Sequence, residues 1–154
     1  MVVYRIAKDK YIEDLSGKGA ELYGGRWNSE GRAVLYTSAF LSLSVLELLA
    51  NQVWRHVSKG YSYLSIEIPD QLIMKQYTVD QLPIGWNQPR YHKVTPLRGD
   101  DWLKANDSLG LWVPSAVLPQ ENNLLINPNH NDFKKIKIKE VAPLKIDHRI
   151  LNVT

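Results

Sequence analysis

The chain has 154 residues, 44% of them hydrophobic and 23% charged, which is the makeup of one ordinary globular domain. That excludes a disordered tail, a coiled coil or separate binding and catalytic modules, and predicts a single domain over 1–154. Nineteen Lys and Arg against sixteen Asp and Glu leave a charge of +3, compatible with a mildly basic groove and too small for a dedicated nucleic-acid coat, while the absence of cysteine removes disulfides and thiol chemistry.

The N-terminus meets Arg5 before any apolar run, so no secretory signal is expected. The longest charge-poor stretch, 33–52, carries Glu47 with Thr37, Ser38, Ser42 and Ser44 and is too polar for a membrane span. A cytoplasmic protein with no membrane contact is the expectation.

Gly24-Gly25-Arg26-Trp27-Asn28-Ser29-Glu30-Gly31 is a turn-rich loop that leads into a buried strand over 33–37. Ser38 then offers an N-cap, and Leu41, Val45, Leu48, Leu49 and Val53 follow helical spacing through about 54. The other side of that helix, Leu43, Leu46, Glu47, Ala50 and Trp54, is also mostly apolar, which predicts burial nearly all round with Glu47 where water is scarce.

Leu64, Ile66 and Ile68 alternate along a half-buried strand over 63–68, ended by Pro69. Short helices are expected over 70–77 and 100–105. Short strands separated by Pro and Asn turns fit 111–117, 123–128 and the Ile136/Ile138 alternation. Strands and helices do not alternate regularly, so the class is α+β, a single domain with a mixed, mostly antiparallel sheet and flanking helices.

Common motifs fail. In Gly17-Lys18-Gly19 the lysine is followed by Gly instead of Ser or Thr, which excludes a phosphate loop. His56, His92, His130 and His148 are scattered without ligand-type neighbours, so surface or capping roles are expected and no metal. Ser115, His130 and Asp132 can be written as a triad, but no nucleophile elbow surrounds the serine. Lys134-Lys135-Ile136-Lys137-Ile138-Lys139 reads as a guarded edge strand in preference to a nucleic-acid patch, so direct nucleic-acid binding is not expected.

What remains is Arg26 on the glycine-rich loop, Tyr36 at the end of the next strand and Glu47 in the following helix, which chain geometry can bring to one pocket. A carboxylate on an apolar helix costs several kcal/mol of desolvation unless paired, and an arginine would offset that cost. A guanidinium fork suits phosphate or pyrophosphate, a tyrosine ring can stack on a flat heterocycle, and a carboxylate can support positive charge developing on a ribose. Those are the parts needed to break a nucleotide glycosidic bond. In NAD the nicotinamide leaves as a neutral ring, so no general acid is required.

At these residues the chain resembles the RES-domain proteins, named for an arginine, a glutamate and a serine. The resemblance runs in order through Tyr4-Arg5-Ile6, Gly24-Gly25-Arg26-Trp27-Asn28, Val34-Leu35-Tyr36-Thr37, Ser44-Val45-Leu46-Glu47, Ile66-Glu67-Ile68-Pro69, Gly99-Asp100-Asp101-Trp102-Leu103, Val113-Pro114-Ser115-Ala116-Val117 and Asn123-Leu124-Leu125-Ile126-Asn127-Pro128-Asn129-His130. It implies an ADP-ribosyltransferase-like fold and a toxin of a type II toxin–antitoxin pair that arrests growth by degrading NAD, as glycohydrolase or phosphorylase.

Some relatives instead transfer ADP-ribose to a protein, so the acceptor stays open among water, phosphate and a side chain. By the same resemblance Arg26 would hold NAD phosphate or ribose, Tyr36 would stack near the nicotinamide, Glu47 would support the ribosyl cation and Ser115 would line the pocket. The loop residues Gly25, Arg26, Trp27 and Asn28 would form the NAD-binding surface with Tyr36. NAD is then substrate, and the partner is an antitoxin of the Xre type, through which any DNA contact would pass. Asn131 departs from the family, where proline often follows the histidine.

Overall fold

The structure is a computed structural model that describes residues 1–51, 60–72, 74–89 and 93–151. Its strands are β1 (Val2–Lys8), β2 (Leu35–Ser38), β3 (Tyr61–Glu67), β4 (Met74–Gln76), β5 (Gly110–Pro114), β6 (Asn122–Ile126) and β7 (Lys137–Pro143), and its helices are α1 (Lys18–Tyr23), α2 (Leu41–Asn51), α3 (Val94–Ala105) and α4 (His148–Leu151). The strands form one sheet in the order β4-β5-β6-β2-β1-β3-β7. Only the β4–β5 pair is parallel, and the rest are antiparallel, so the α+β class with a mixed, mostly antiparallel sheet is what the chain adopts.

Strand alternation sorts side chains to two faces. Leu124 and Ile126 of β6 join Val3, Leu35, Leu64, Ile66 and Ile68 in one core cluster. On the other face Leu125 joins Leu111, Val113, Val34, Trp27, Trp86 and Trp102. The register Tyr36↔Leu125 and Ser38↔Asn123 puts Tyr36, Ser38 and Asn123 on that second face, where their polar groups meet α2 and the loops.

The sheet has a seam. β1 and β2 pair in register at Tyr4↔Ser38, whereas β1 pairs with β3 along its whole length. Arg5, Ile6, Tyr36 and Thr37, on either side of the seam, line a cavity. α2 packs over both strands and ties to β1 through the Ser44 hydroxyl, which donates to Tyr4 O at 3.3 Å.

Several expectations need correction. Ser38 is the last residue of β2 instead of a helix N-cap, and the helix begins at Leu41; Val53 and Trp54, where its end was expected, lie outside the described residues. The helix is not buried all round: Leu43, Ser44 and Leu49 face inward, while Leu46 is 41% exposed and Glu47 is half-buried, because α2 has a sheet beneath it on one side only.

The expected helix over 70–77 is instead β4, whose Met74 lies over Gly110 of β5. A Cβ on Gly110 would stand 2.5 Å from Met74 Sδ, so the bare glycine is what lets the short strand add to the edge. α3 starts at Val94, earlier than expected, since Pro96 falls in its first turn, where no amide hydrogen is needed.

Of the lysine-rich stretch only Lys137, Ile138 and Lys139 belong to β7 at the sheet edge, where both lysines are exposed; Lys134 and Lys135 lie in a 3-10 turn before it, and Ile138 is 39% exposed, so the isoleucines do not form a buried strand face. Among the described residues no helix is long and apolar enough to cross a membrane.

α3 buttresses the 24–31 loop. Thr95, Gly99 and Trp102 are its buried face. A Cβ on Gly99 would stand 1.7 Å from the Trp27 carbonyl oxygen, so helix and loop touch backbone to backbone. Asp100 accepts from Ser29 N at 3.0 Å, and the Trp102 indole donates to Ser108 at 2.9 Å. Neither backbone can yield easily, so Gly99→Ala should cost about 3 kcal/mol of stability, the upper part of the usual overpacking range. Urea denaturation checks this, and an unchanged midpoint would show that the contact is not tight.

Candidate functional site

The 24–31 loop is built to hold Tyr36. Gly24 has φ +66, and a Cβ on Gly25 would lie 2.7 Å from the Tyr36 hydroxyl, so a side chain there would displace the phenol. The hydroxyl accepts from Trp27 N at 3.1 Å and donates to Asn28 Oδ1 at 2.7 Å. The Asn28 amide donates in turn to Ala20 O, Ser29 O and Arg32 O. Asn28 is 1% exposed, and this network consumes its polar atoms, so it braces the loop from behind instead of facing a ligand as the sequence suggested.

Arg26 reaches across to the loop before 90–92. Its Nη1 donates to Trp86 O at 2.7 Å and its Nη2 to Gln88 O at 3.1 Å. The Trp27 ring stacks on Tyr77, centroids 6.1 Å apart and planes 12° apart, and tilts against Trp86 at 6.4 Å; Arg98 covers the far side of Tyr77 at 5.1 Å. These aromatics form a stiff wall under the loop, each pair contributing about 0.5–1.5 kcal/mol beyond its burial.

Glu47 points from α2 towards β6 and the turn after β5. Its Oε1 accepts from Ser115 Oγ at 2.7 Å and from Asn123 Nδ2 at 2.6 Å. Ser115 Oγ accepts from the amides of Val117 and Leu118, which fixes its one proton on Glu47. Among the described residues no Lys, Arg or His nitrogen lies within 4.0 Å of this carboxylate. The arginine partner expected from the sequence is therefore replaced by a hydroxyl and an amide. Charge-assisted hydrogen bonds of this kind are about twice as strong as neutral ones, and they leave the negative charge in place.

Gly25, Arg26, Trp27, Tyr36 and Glu47 line one cavity of about 650 Å³, with Asn87 and Pro89 on its far rim. A volume of that size accommodates a nucleotide-sized ligand. Ser115 does not line it. Fully buried, the serine reaches the cavity only through Glu47.

A smaller cavity of about 270 Å³ adjoins it at the seam and shares Tyr36, Glu47, Asn51 and Asn123. Arg5 of β1 borders it, while its guanidinium is held at the Tyr11 and Ile12 carbonyls near Asp14. Burial holds this guanidinium below the ordinary arginine range, with Asp14 acting weakly in the opposite sense. Its Nη1 donates to Tyr11 O at 3.0 Å and Ile12 O at 2.6 Å.

Sequence reasoning named neither Arg5 nor Asn123 as a site residue. The signal for Arg5 was a lone charge inside Val-Val-Tyr-Arg-Ile-Ala, and for Asn123 a polar residue sharing its strand face with Leu125. The Ser115, His130, Asp132 triad does not form: His130 Nδ1 accepts from Asp132 N at 3.1 Å, a capping role, while the serine is engaged with Glu47. Among the described residues there is no group of three or more His, Cys, Asp or Glu able to hold a metal.

Residues 2–148 match the RES domain family. The chain is 41% identical over 153 residues to "Toxin Res" of Photorhabdus laumondii subsp. laumondii, covering 98% of this chain and 97% of that one. It is 35% identical over 153 residues to "Prs ADP-ribosylating toxin" of a Sphingobium species, covering 96% and 95%. Among solved structures it resembles a chain from the crystal structure of the M. tuberculosis MbcT–MbcA toxin–antitoxin complex, with TM-score 0.76 and 17% identity over 94% of this chain and 84% of that one, a likeness of fold.

Removing the Tyr36 hydroxyl strands two polar groups, the Trp27 amide and Asn28 Oδ1. Tyr36→Phe should therefore lower stability by about 1–3 kcal/mol, the cost of leaving buried partners unsatisfied. A chemical denaturation curve shifted by less than a few tenths of that would mean that water replaces the hydroxyl.

Proposed function

Since the chain belongs to the RES domain family, we propose that it is the toxin of a toxin–antitoxin pair and acts by cleaving the nicotinamide–ribose bond of NAD in the cavity bounded by Arg26, Tyr36 and Glu47. The observation that carries this reading is the Glu47 carboxylate, fixed by Ser115 and Asn123 with no Lys, Arg or His nitrogen of the described residues within 4.0 Å, on the wall of a cavity also lined by Arg26 and Tyr36.

In the cleavage the C1′–N bond breaks and its electron pair passes to the pyridinium nitrogen, releasing neutral nicotinamide. Positive charge appears on the ribose. A carboxylate held beforehand near that charge stabilises the transition state without reorganising, and removal of one such preorganised group typically costs about 10²–10³ in rate. Arg26, positioned by its contacts to Trp86 O and Gln88 O, would bring its positive charge to pyrophosphate or ribose oxygens. Tyr36 supplies flat surface for the ring, and Trp27, packed on Tyr77 and Trp86, stiffens the cavity wall behind it.

Gly25 is bare at this wall, where any side chain would collide with Tyr36. Ser115 serves the reaction through the carboxylate.

The ribosyl cation is captured by water, whose second proton goes to solvent, or by inorganic phosphate. Capture by a protein side chain is the second reading, favoured by the name of the Sphingobium relative, an ADP-ribosylating toxin. An antitoxin protein of the Xre type is the proposed partner; a chain of similar fold has been solved in a toxin–antitoxin complex. We place the activity in the cytoplasm, where NAD is available.

Incubation of the purified protein with NAD, with and without phosphate, should release free nicotinamide. ADP-ribose would mark hydrolysis, its 1″-phosphate phosphorolysis, and label on a protein would mark transfer. Arg26→Ala should lower the rate by at least about 100-fold with the fold retained by circular dichroism. Undiminished NAD after prolonged incubation would contradict every enzymatic form of the proposal.

A further inference from the structure

On the reading that Glu47 carries the chemistry, we propose that Asn123 is a positioning residue that, together with Ser115, decides which oxygen of the Glu47 carboxylate meets the substrate. Both donors arrive on Oε1, from Ser115 at 2.7 Å and from Asn123 at 2.6 Å. Among the described residues Oε2 accepts no hydrogen bond. A carboxylate gripped by one oxygen from two directions cannot rotate about its terminal bond without breaking both contacts. It presents the other oxygen outward.

Asn123 is itself held. A carboxylate can only accept, so the Asn123 NH₂ faces Glu47, and its carbonyl is left to accept from Ser38 Oγ at 2.7 Å. Ser38 and Asn123 are register partners in adjacent strands, so the chain Ser38 to Asn123 to Glu47 is anchored in the sheet itself. Asn123 also borders both the large cavity and the smaller one at the seam, at the point where Glu47 divides them. A polar side chain used for packing alone would not need its amide orientation dictated on one side and its donor aimed at a carboxylate on the other.

The test compares steady-state nicotinamide release by wild type, Asn123→Ala and Asn123→Asp. Asn123→Ala should lower kcat by about 10- to 100-fold, the scale of a misplaced catalytic group, with KM changed by less than about threefold. Asn123→Asp keeps the shape and the Ser38 contact but sets a second carboxylate against Glu47. Like charges that close cannot both stay ionised, so a proton taken up on acidification restores an O–H donor to Glu47.

The ratio of variant to wild-type kcat should therefore rise as pH falls from about 8 to about 5. The other ionisable groups bordering these cavities, Tyr4, Arg5, Arg26 and Tyr36, are common to both proteins and cancel in the ratio. A role in packing alone would lower the thermal midpoint and leave that ratio flat. A flat ratio, or wild-type kcat in Asn123→Ala, overturns the proposal. If Asn123→Ala does not fold, the isosteric Asn123→Asp carries the test.

Absence of nicotinamide release by the wild type would defeat the NAD reading instead. Growth arrest on induction then reports on the positioning role, and Asn123→Ala should be attenuated in step with Glu47→Gln at equal protein levels. Full arrest by Asn123→Ala would overturn it.

Discussion

The carboxylate oxygen Oε1 of Glu47 gathers a hydroxyl from the turn after β5 and an amide from β6, while the carboxylate itself rides on α2. Each donor is in turn fixed by a partner of its own, Ser115 by two backbone amides and Asn123 by Ser38. Three separate parts of the chain must be in register for that oxygen to be satisfied. Neutral donors have a consequence that an arginine would not. They support the charge and fix its direction without cancelling it, so the field of the carboxylate extends into the cavity, where a cationic sugar could feel it.

The smaller cavity that adjoins the site lies at the seam in the sheet, where β1 and β2 pair in register at Tyr4↔Ser38 alone. The loop carrying Arg26 is in turn set by close approach: Gly25 against the Tyr36 hydroxyl, Gly99 against the Trp27 backbone, and the Arg26 guanidinium on two carbonyls of the facing loop. Small residues and buried polar networks, more than ion pairs, determine the shape of the site.

Much of this was visible in the residue pattern. The period-2 run at 63–68 reports a strand because Leu64, Ile66 and Ile68 are buried, the Pro and Asn turns around 123–128 set off a strand whose Leu124, Leu125 and Ile126 are buried on both faces, and the glycine-rich loop, Tyr36 and Glu47 group together because a strand and its following helix must fold together. What the pattern concealed has physical causes. Met74–Gln76 has no strand signature of its own and becomes one only because the edge of β5 offers backbone partners. α3 extends back to Val94 beyond the expected 100–105 because Pro96 sits in its first turn and Gly99 is required by contact with Trp27. The two apolar sides of α2 suggested full burial, but a helix over a single sheet leaves Leu46 in water. Asn123 was not singled out as a site residue because its importance lies in Glu47 and Ser38 facing it across the fold, which local spacing does not encode.

The most direct test of the account separates binding from bond breaking at Glu47. Glu47→Gln keeps the shape of the side chain and can still accept from Ser115, but it removes the charge. Calorimetric titration of that variant with NAD, alongside single-turnover nicotinamide release, should show affinity within a few-fold of that seen for the wild type before turnover, and a cleavage rate lower by at least about 100-fold. Cleavage at the wild-type rate would mean that the charge on this side chain is not what drives the departure of the pyridine ring, and the account would fail.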